Sequence, residues 1–160
     1  ANQNGEICQF ANDNCVGQIV ISGSKSAIDN AIIIAKEKGI KRALPLPVSG
    51  AFHSNLMQEA AIEMKEALDN IIIKEPKIPL IANVTADLVS NPDIIRNLLV
   101  EQITGQVRWR ETMLLMEASG VKDIVEIGSG KVLSGLAGRT CKEVNSKSIQ
   151  NLDDLKSNFS

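Results

Sequence analysis

Val121-Lys122-Asp123-Ile124-Val125-Glu126-Ile127-Gly128-Ser129-Gly130-Lys131 is the stretch that decides the fold class. Its β-branched apolar run predicts a strand over Val121 to Ile127. The glycines predict a tight turn, and a helix follows from about Lys131 to Glu143. Ser148-Ile149 reads as a last short strand, and Asn151 as the cap of a final helix. Strand, turn, helix and strand in this order predict an α/β fold with a mainly parallel sheet.

The same alternation runs upstream. Ile7 to Ala11 predicts a short strand, and Gly17 to Gly23 a better one. Ser26-Ala27-Ile28-Asp29 has the form of a capping box. Ile28, Ala31, Ile32 and Ala35 then follow at helical spacing, with Gly39 as the C-terminal cap. Ile40, Arg42, Leu44, Leu46 and Val48 share one face of a period-two segment. Pro45 and Pro47 on its other face predict an edge strand. A polar loop, Ser49 to Asn55, leads into an amphipathic helix carrying Leu56, Ala60, Met64, Ala67, Leu68 and Ile71. Leu80 to Val84 predicts a buried strand. Asn91-Pro92 predicts a helix start, with Asn as cap and Pro at the first helical position. A further helix runs from near Trp109 to Ser119 and stops at Gly120. The rhythm changes near Val48, which divides the chain into a small α+β unit over 1–48 and a second unit over 49–160.

Composition excludes several classes. The chain has 160 residues, 44% hydrophobic and 22% charged, which argues for an ordered domain rather than a disordered chain. Its only aromatics are Trp109, Phe10, Phe52 and Phe159, too few for a base-stacking platform. A net charge of -2 gives no general affinity for nucleic acid. No apolar run approaches the ~18 residues of a spanning helix, so no membrane association is expected. Ala1 to Glu6 lacks a signal-peptide pattern, and a start at Ala rather than Met reads as a trimmed or excised chain. Three cysteines without a C-x-x-C pattern predict free thiols and a reducing, cytoplasmic setting.

Histidine chemistry can come only from His53, the single histidine. That excludes an H-E-x-x-H zinc helix, and no metal site is expected. Local sequence alone favours a surface or capping role for His53, although a loop at a strand end is also where α/β proteins place a general base. No Gly-x-Ser-x-Gly elbow is present to supply a serine nucleophile. Nothing around Cys8, Cys15 or Cys141 suggests an activated thiol. Gly128-Ser129-Gly130-Lys131 departs from both the phosphate loop and the dinucleotide pattern, and reads as a structural turn. Asn12 and Asn14, on either side of Asp13, read locally as turn residues. Lys36-Glu37-Lys38 and Lys41-Arg42 read most simply as solvated charge.

Taken in order, six segments carry a resemblance. They are Ala11-Asn12-Asp13-Asn14, Gly17 to Gly23, Lys41 to Ser54 around Gly50-Ala51-Phe52-His53-Ser54, Ile81-Ala82-Asn83-Val84-Thr85, Gln106-Val107-Arg108-Trp109, and Glu126 to Leu136. Together they resemble the bacterial malonyl-CoA:acyl-carrier-protein transacylases over nearly the whole chain. The resemblance implies most of a ferredoxin-like small subdomain, without its first strand and helix, joined to the C-terminal part of a hydrolase-like acyltransferase core. It implies ping-pong transfer of malonyl from coenzyme A, through a serine ester, to the phosphopantetheine thiol of acyl carrier protein. His53 matches the catalytic histidine, and Gln102 the glutamine whose backbone carbonyl orients it. Asn12 and Asn14 match asparagines near the substrate and coenzyme end of the cleft. Phe52 matches the position before the histidine that helps select the acyl group, in a setting associated with malonyl. Malonyl-CoA is implied as substrate, with no cofactor.

Cys15-Val16 stands where the family usually has Ser-Pro. Gln106 and Ser129 also replace usual prolines. No match to the family's serine elbow, oxyanion element or malonyl-binding arginine is found, so the resemblance is to the C-terminal half. Two expectations follow: half of a malonyl transferase, or a non-catalytic remnant that binds coenzyme A or carrier protein. An unrelated thiol hydrolase pairing His53 with a cysteine is the outlying alternative.

Overall fold

The computed structural model of the chain describes residues 5–159. The chain opens with a hairpin of β1 (Cys8–Cys15) and β2 (Gln18–Gly23), paired antiparallel and joined at Val16-Gly17. Gly17 takes a φ of 78°, a left-handed conformation that glycine adopts without the cost a Cβ would add. β1 runs on through Asn12-Asp13-Asn14, so these are strand residues rather than the turn their composition suggested. The register shifts twice, leaving Ala11 and Asn14 without a partner on β2. Such bulges free backbone groups for other partners. The Ala11 carbonyl accepts from Val107 N–H, and Asp13 N–H donates to Val107, both at 2.8 Å. A single parallel bridge thereby forms on the other edge of β1.

Helix α1 (Lys25–Glu37) follows with Ser24, not Ser26, at its N-cap. The Ser24 hydroxyl accepts instead from Ile7 N–H, and the Ser26 hydroxyl donates to Glu6. The expected capping box is therefore replaced by ties to the segment before β1. Gly39 closes the helix with a φ of 82° and donates to the Lys36 carbonyl. The segment from Ile40 to Val48 forms no strand. Pro45 and Pro47 remove two ladder donors, and Leu44, Leu46 and Val48 are exposed.

After the loop holding His53, a short 3-10 turn (Asn55–Met57) leads into α2 (Gln58–Asp69). β3 (Leu80–Ala82) and β4 (Asp87–Val89) then make a second antiparallel hairpin. β4 is an element the sequence did not announce. Helix α3 (Pro92–Thr104) starts as expected, the Asn91 side chain accepting from Asp93 N–H at 2.9 Å and Ile94 N–H at 3.1 Å. α3 packs along α2, and Arg96 donates to the Ile71 carbonyl, two residues past the end of α2.

The last part is the predicted β–α–β unit. Helix α4 (Trp109–Ala118) leads to β5 (Asp123–Ile127), α5 (Val132–Thr140), β6 (Asn145–Ile149) and α6 (Leu152–Phe159). β5 and β6 pair in parallel. The core sits between α4 and α5, where Met113, Ala137 and Cys141 are buried beneath Trp109, Met116, Ile124 and Val144. Asn151 caps α6 through Asp153 and Asp154 N–H groups, both at 2.9 Å. The α/β class holds, but the sheet consists of three separate pairs, two antiparallel and one parallel.

Much apolar surface is uncovered. Ile72 is 87% exposed, Ile78 77%, Ile127 80% and Val132 66%. The accessible surface is 10,944 Å², against ~7,800 Å² for a compact monomer of this mass. No described helix is long and apolar enough to cross a membrane.

Candidate active site

His53 sits in the left-handed region, with a φ of 58°. For a residue with a Cβ this conformation costs about 1–2 kcal/mol, so the surroundings must hold it. Three bonds do. The Ser54 hydroxyl, fully buried, donates to the Ala51 carbonyl at 2.7 Å and closes the loop on itself. Asn55 N–H donates to Gln9 Oε1 of β1 at 2.7 Å. The imidazole Nδ1 lies 3.0 Å from the backbone carbonyl oxygen of Gln102.

That carbonyl is available for a simple reason. Gln102 lies in the last turn of α3, whose final carbonyls have no partner within the helix. Glu101 oxygen is taken by Gly105 N–H at 2.7 Å, and Gln102 oxygen is left for the imidazole. A carbonyl can only accept, so this shorter contact selects the neutral tautomer with its proton on Nδ1 and a lone pair on Nε2, whereas the Gln102 side-chain Nε2, 3.5 Å from Nδ1, would donate only to the other tautomer. The Gln102 side chain folds back, its Nε2 donating to the Gly105 carbonyl at 3.1 Å. Gly105 itself has no room for a side chain: a Cβ would lie 2.6 Å from Val84 Cγ2. A cavity of about 180 Å³ between β3 and α3, lined mainly by apolar side chains, reaches Gln102.

The segment after Gln102 is anchored on two sides. Arg108 donates to the Thr85 carbonyl at 2.7 Å and to Glu111 at 2.9 Å. Its guanidinium holds the Glu111 carboxyl below the usual carboxylate range. Arg110 grips Asp13 of β1 with Nε 3.0 Å from both carboxylate oxygens and Nη2 2.6 Å from one. The Asp13 carboxylate raises the Arg110 guanidinium further above its ordinary value. Neither Gln9 nor the Asp13–Arg110 pair was singled out from the sequence, and no local pattern marks them.

Phe52 is half exposed beside His53, its ring over Gly50, where a Cβ would lie 3.1 Å from the ring. Asn12 and Asn14 are partly buried in β1, and among the described residues no hydrogen bond joins their side chains to His53. Cys15 and Cys141 are buried. Burial pushes the Cys141 thiol up, and its Sγ donates to the Met113 carbonyl at 3.4 Å. No bond ties either thiol to the imidazole. Among the described residues no three His, Cys, Asp or Glu side chains cluster as a metal site.

The Gly128-Ser129-Gly130 turn is not open to phosphate. The Glu126 carboxylate already occupies the N-terminus of α5, accepting from Leu133 N–H at 3.1 Å and Ser134 N–H at 2.8 Å. Those amides hold its carboxyl below the ordinary range.

No protein-family model matches the chain. The malonyl CoA-acyl carrier protein transacylase of Bacillus subtilis is 42% identical over 154 residues, which cover 96% of this chain and 49% of that protein. The chain is homologous to half of a malonyl-CoA:acyl-carrier-protein transacylase. It spans about half the length of the curated relatives it matches. Solved transacylase structures agree. The acyl-carrier-protein-S-malonyltransferase of Bartonella henselae superposes with a TM-score of 0.90 at 49% identity, covering 95% of this chain and 48% of that one. A malonyl-transacylase solved with a type II PKS acyl-carrier protein superposes at 0.91 with 36% identity, covering 96% of this chain and 50% of that one.

Proposed function

We propose that this chain is the C-terminal half of a malonyl transferase of fatty-acid synthesis and supplies its general base. The observation that carries the reading is the imidazole of His53, its Nδ1 3.0 Å from the Gln102 carbonyl oxygen, a contact that makes Nε2 the basic nitrogen of the neutral ring. A base oriented by a neutral carbonyl instead of a carboxylate still has its tautomer fixed. A serine on the complementary half would be the nucleophile. Nε2 takes the serine proton as the oxygen attacks the malonyl thioester carbon. The C–S bond then breaks, and the imidazolium returns its proton to the departing coenzyme A thiolate. In the second half-reaction Nε2 deprotonates the phosphopantetheine thiol of acyl carrier protein. That sulfur attacks the serine ester, and the serine oxygen leaves with the proton.

Phe52, beside the base, is proposed to bound the acyl group. Asn12 and Asn14 are proposed to meet the substrate from β1. Malonyl-CoA is consumed as substrate, and the chemistry needs no further cofactor. The division into units 1–48 and 49–160, and a cytoplasmic setting, belong to the same proposal. The test is malonyl transfer from malonyl-CoA to acyl carrier protein by this chain combined with a complementing N-terminal half that carries a Gly-x-Ser-x-Gly elbow. Transfer that depends on both pieces supports the reading. A combined preparation that associates yet transfers nothing overturns it.

A further inference from the structure

The His53–Gln102 bond joins a loop to the last turn of α3, 49 residues on, and one strand holds both. At its start, Gln9 Oε1 accepts from Asn55 N–H at 2.7 Å, two residues beyond the imidazole. Further along, Ala11 and Asp13 hold Val107 by two backbone bonds of 2.8 Å. The Asp13 carboxylate holds Arg110 with contacts of 3.0, 3.0 and 2.6 Å. Val107 lies three residues beyond the end of α3, whose last turn presents the Gln102 carbonyl, and Arg110 lies in the first turn of α4. The bulge at Ala11 is what turns a β1 carbonyl towards Val107, since that residue has no partner on β2.

We propose that β1 acts as a splint that sets the spacing of the imidazole and the Gln102 carbonyl, with Gln9 and Asp13 as positioning residues. The two anchoring residues are about 13 Å apart along a paired strand, so the backbone of β1 sets the spacing of the points from which their side chains reach. α3 also packs against the 3-10 turn Asn55–Met57. That packing is without a directional bond, whereas the β1 route is made of directional ones throughout. The catalytic meaning of the splint rests on the function proposed above, but its geometry does not.

The single histidine makes the test clean. The full chain is labelled with ¹⁵N-histidine, and the ratio of Nδ1–H to Nε2–H tautomer is read by nuclear magnetic resonance above the imidazole titration. The wild-type chain should be mainly Nδ1–H. Gln9→Ala and Asp13→Ala should each lower that ratio by about three- to tenfold, the range for loosening one neutral hydrogen bond. Gln9→Glu and Asp13→Glu, which keep the acceptors, should hold it. A Gln9→Ala chain with a wild-type amide spectrum and an unchanged ratio overturns the proposal. Where Asp13→Ala loses the folded spectrum, Gln9→Ala decides alone, because it removes one bond from an exposed loop amide. Malonyl transfer plays no part in this readout. An inactive reassembled enzyme would sink the proposed function and leave the splint standing, and an unchanged ratio would do the reverse.

Discussion

Supplying the complementary half should change how this chain unfolds. Alone it exposes 10,944 Å², about 3,100 Å² more than a compact monomer of its mass. The unfolded chain would expose ~25,000 Å², so folding alone buries only about 56% of that surface rather than 68–70%. The urea m-value scales with the area exposed on unfolding, and should therefore be about a fifth below that of a compact domain of equal length. The excess is the size of an obligate interface rather than of a transient contact. Urea titration followed by circular dichroism, at several protein concentrations, reads this directly. The lone chain should give a shallow transition and bind a hydrophobic dye, with a midpoint that shifts with concentration as exposed apolar faces associate. With the complementary half present, the transition should steepen and dye binding should fall. A steep, concentration-independent transition of the lone chain, with no dye binding, would refute the reasoning from surface area.

Three further outcomes are expected. His53→Ala in the reassembled enzyme should lower acyl transfer by at least ~10²–10⁴-fold with an unchanged circular dichroism spectrum; steady-state turnover checks it. Met113→Ala should destabilise the α4–α5 core by about 2–5 kcal/mol, because Met113 is fully buried against Ala137 and Cys141; denaturant unfolding measures it. The Glu126 carboxyl is held down by backbone amides of α5. Its contribution to stability is therefore present above the ordinary carboxylate range and is lost as pH falls through the depressed folded value. Glu126→Gln should flatten the acid limb of a melting-temperature profile from the ordinary carboxylate range, about pH 4–5, downward, and an unchanged limb would count against the cap.

Local chemistry was legible where a single residue decides the outcome. Asn91-Pro92, Gly39 and Asn151 each act within one turn, and each stands where its type predicts. The period-two segment at Ile40 to Val48 misled because alternation describes a strand only when a neighbour can pair with it, and Pro45 and Pro47 deny that pairing. Asn12 and Asn14 looked like turn residues because their composition is a turn's, but the pairing of β1 with β2 and Val107 overrides local preference. At the site, His53 and Gln102 were reached through resemblance alone; their own neighbours favoured a surface histidine. Gln9 and Arg110 were not reached at all, and Asp13 only as a member of the Ala11–Asn14 segment, with no role of its own. Asp13 and Arg110 are 97 residues apart, and only the folded chain brings their charges together.

The central claim is that this chain contributes the base and not the nucleophile of a malonyl transferase. Intact mass after incubation with malonyl-CoA tests it most directly, with each chain resolved. The predicted result is no adduct on this chain, alone or combined, and one malonyl group on the complementary half that disappears when acyl carrier protein is added. A malonyl ester or thioester on this chain would contradict the claim, as would a combined preparation in which neither half is acylated.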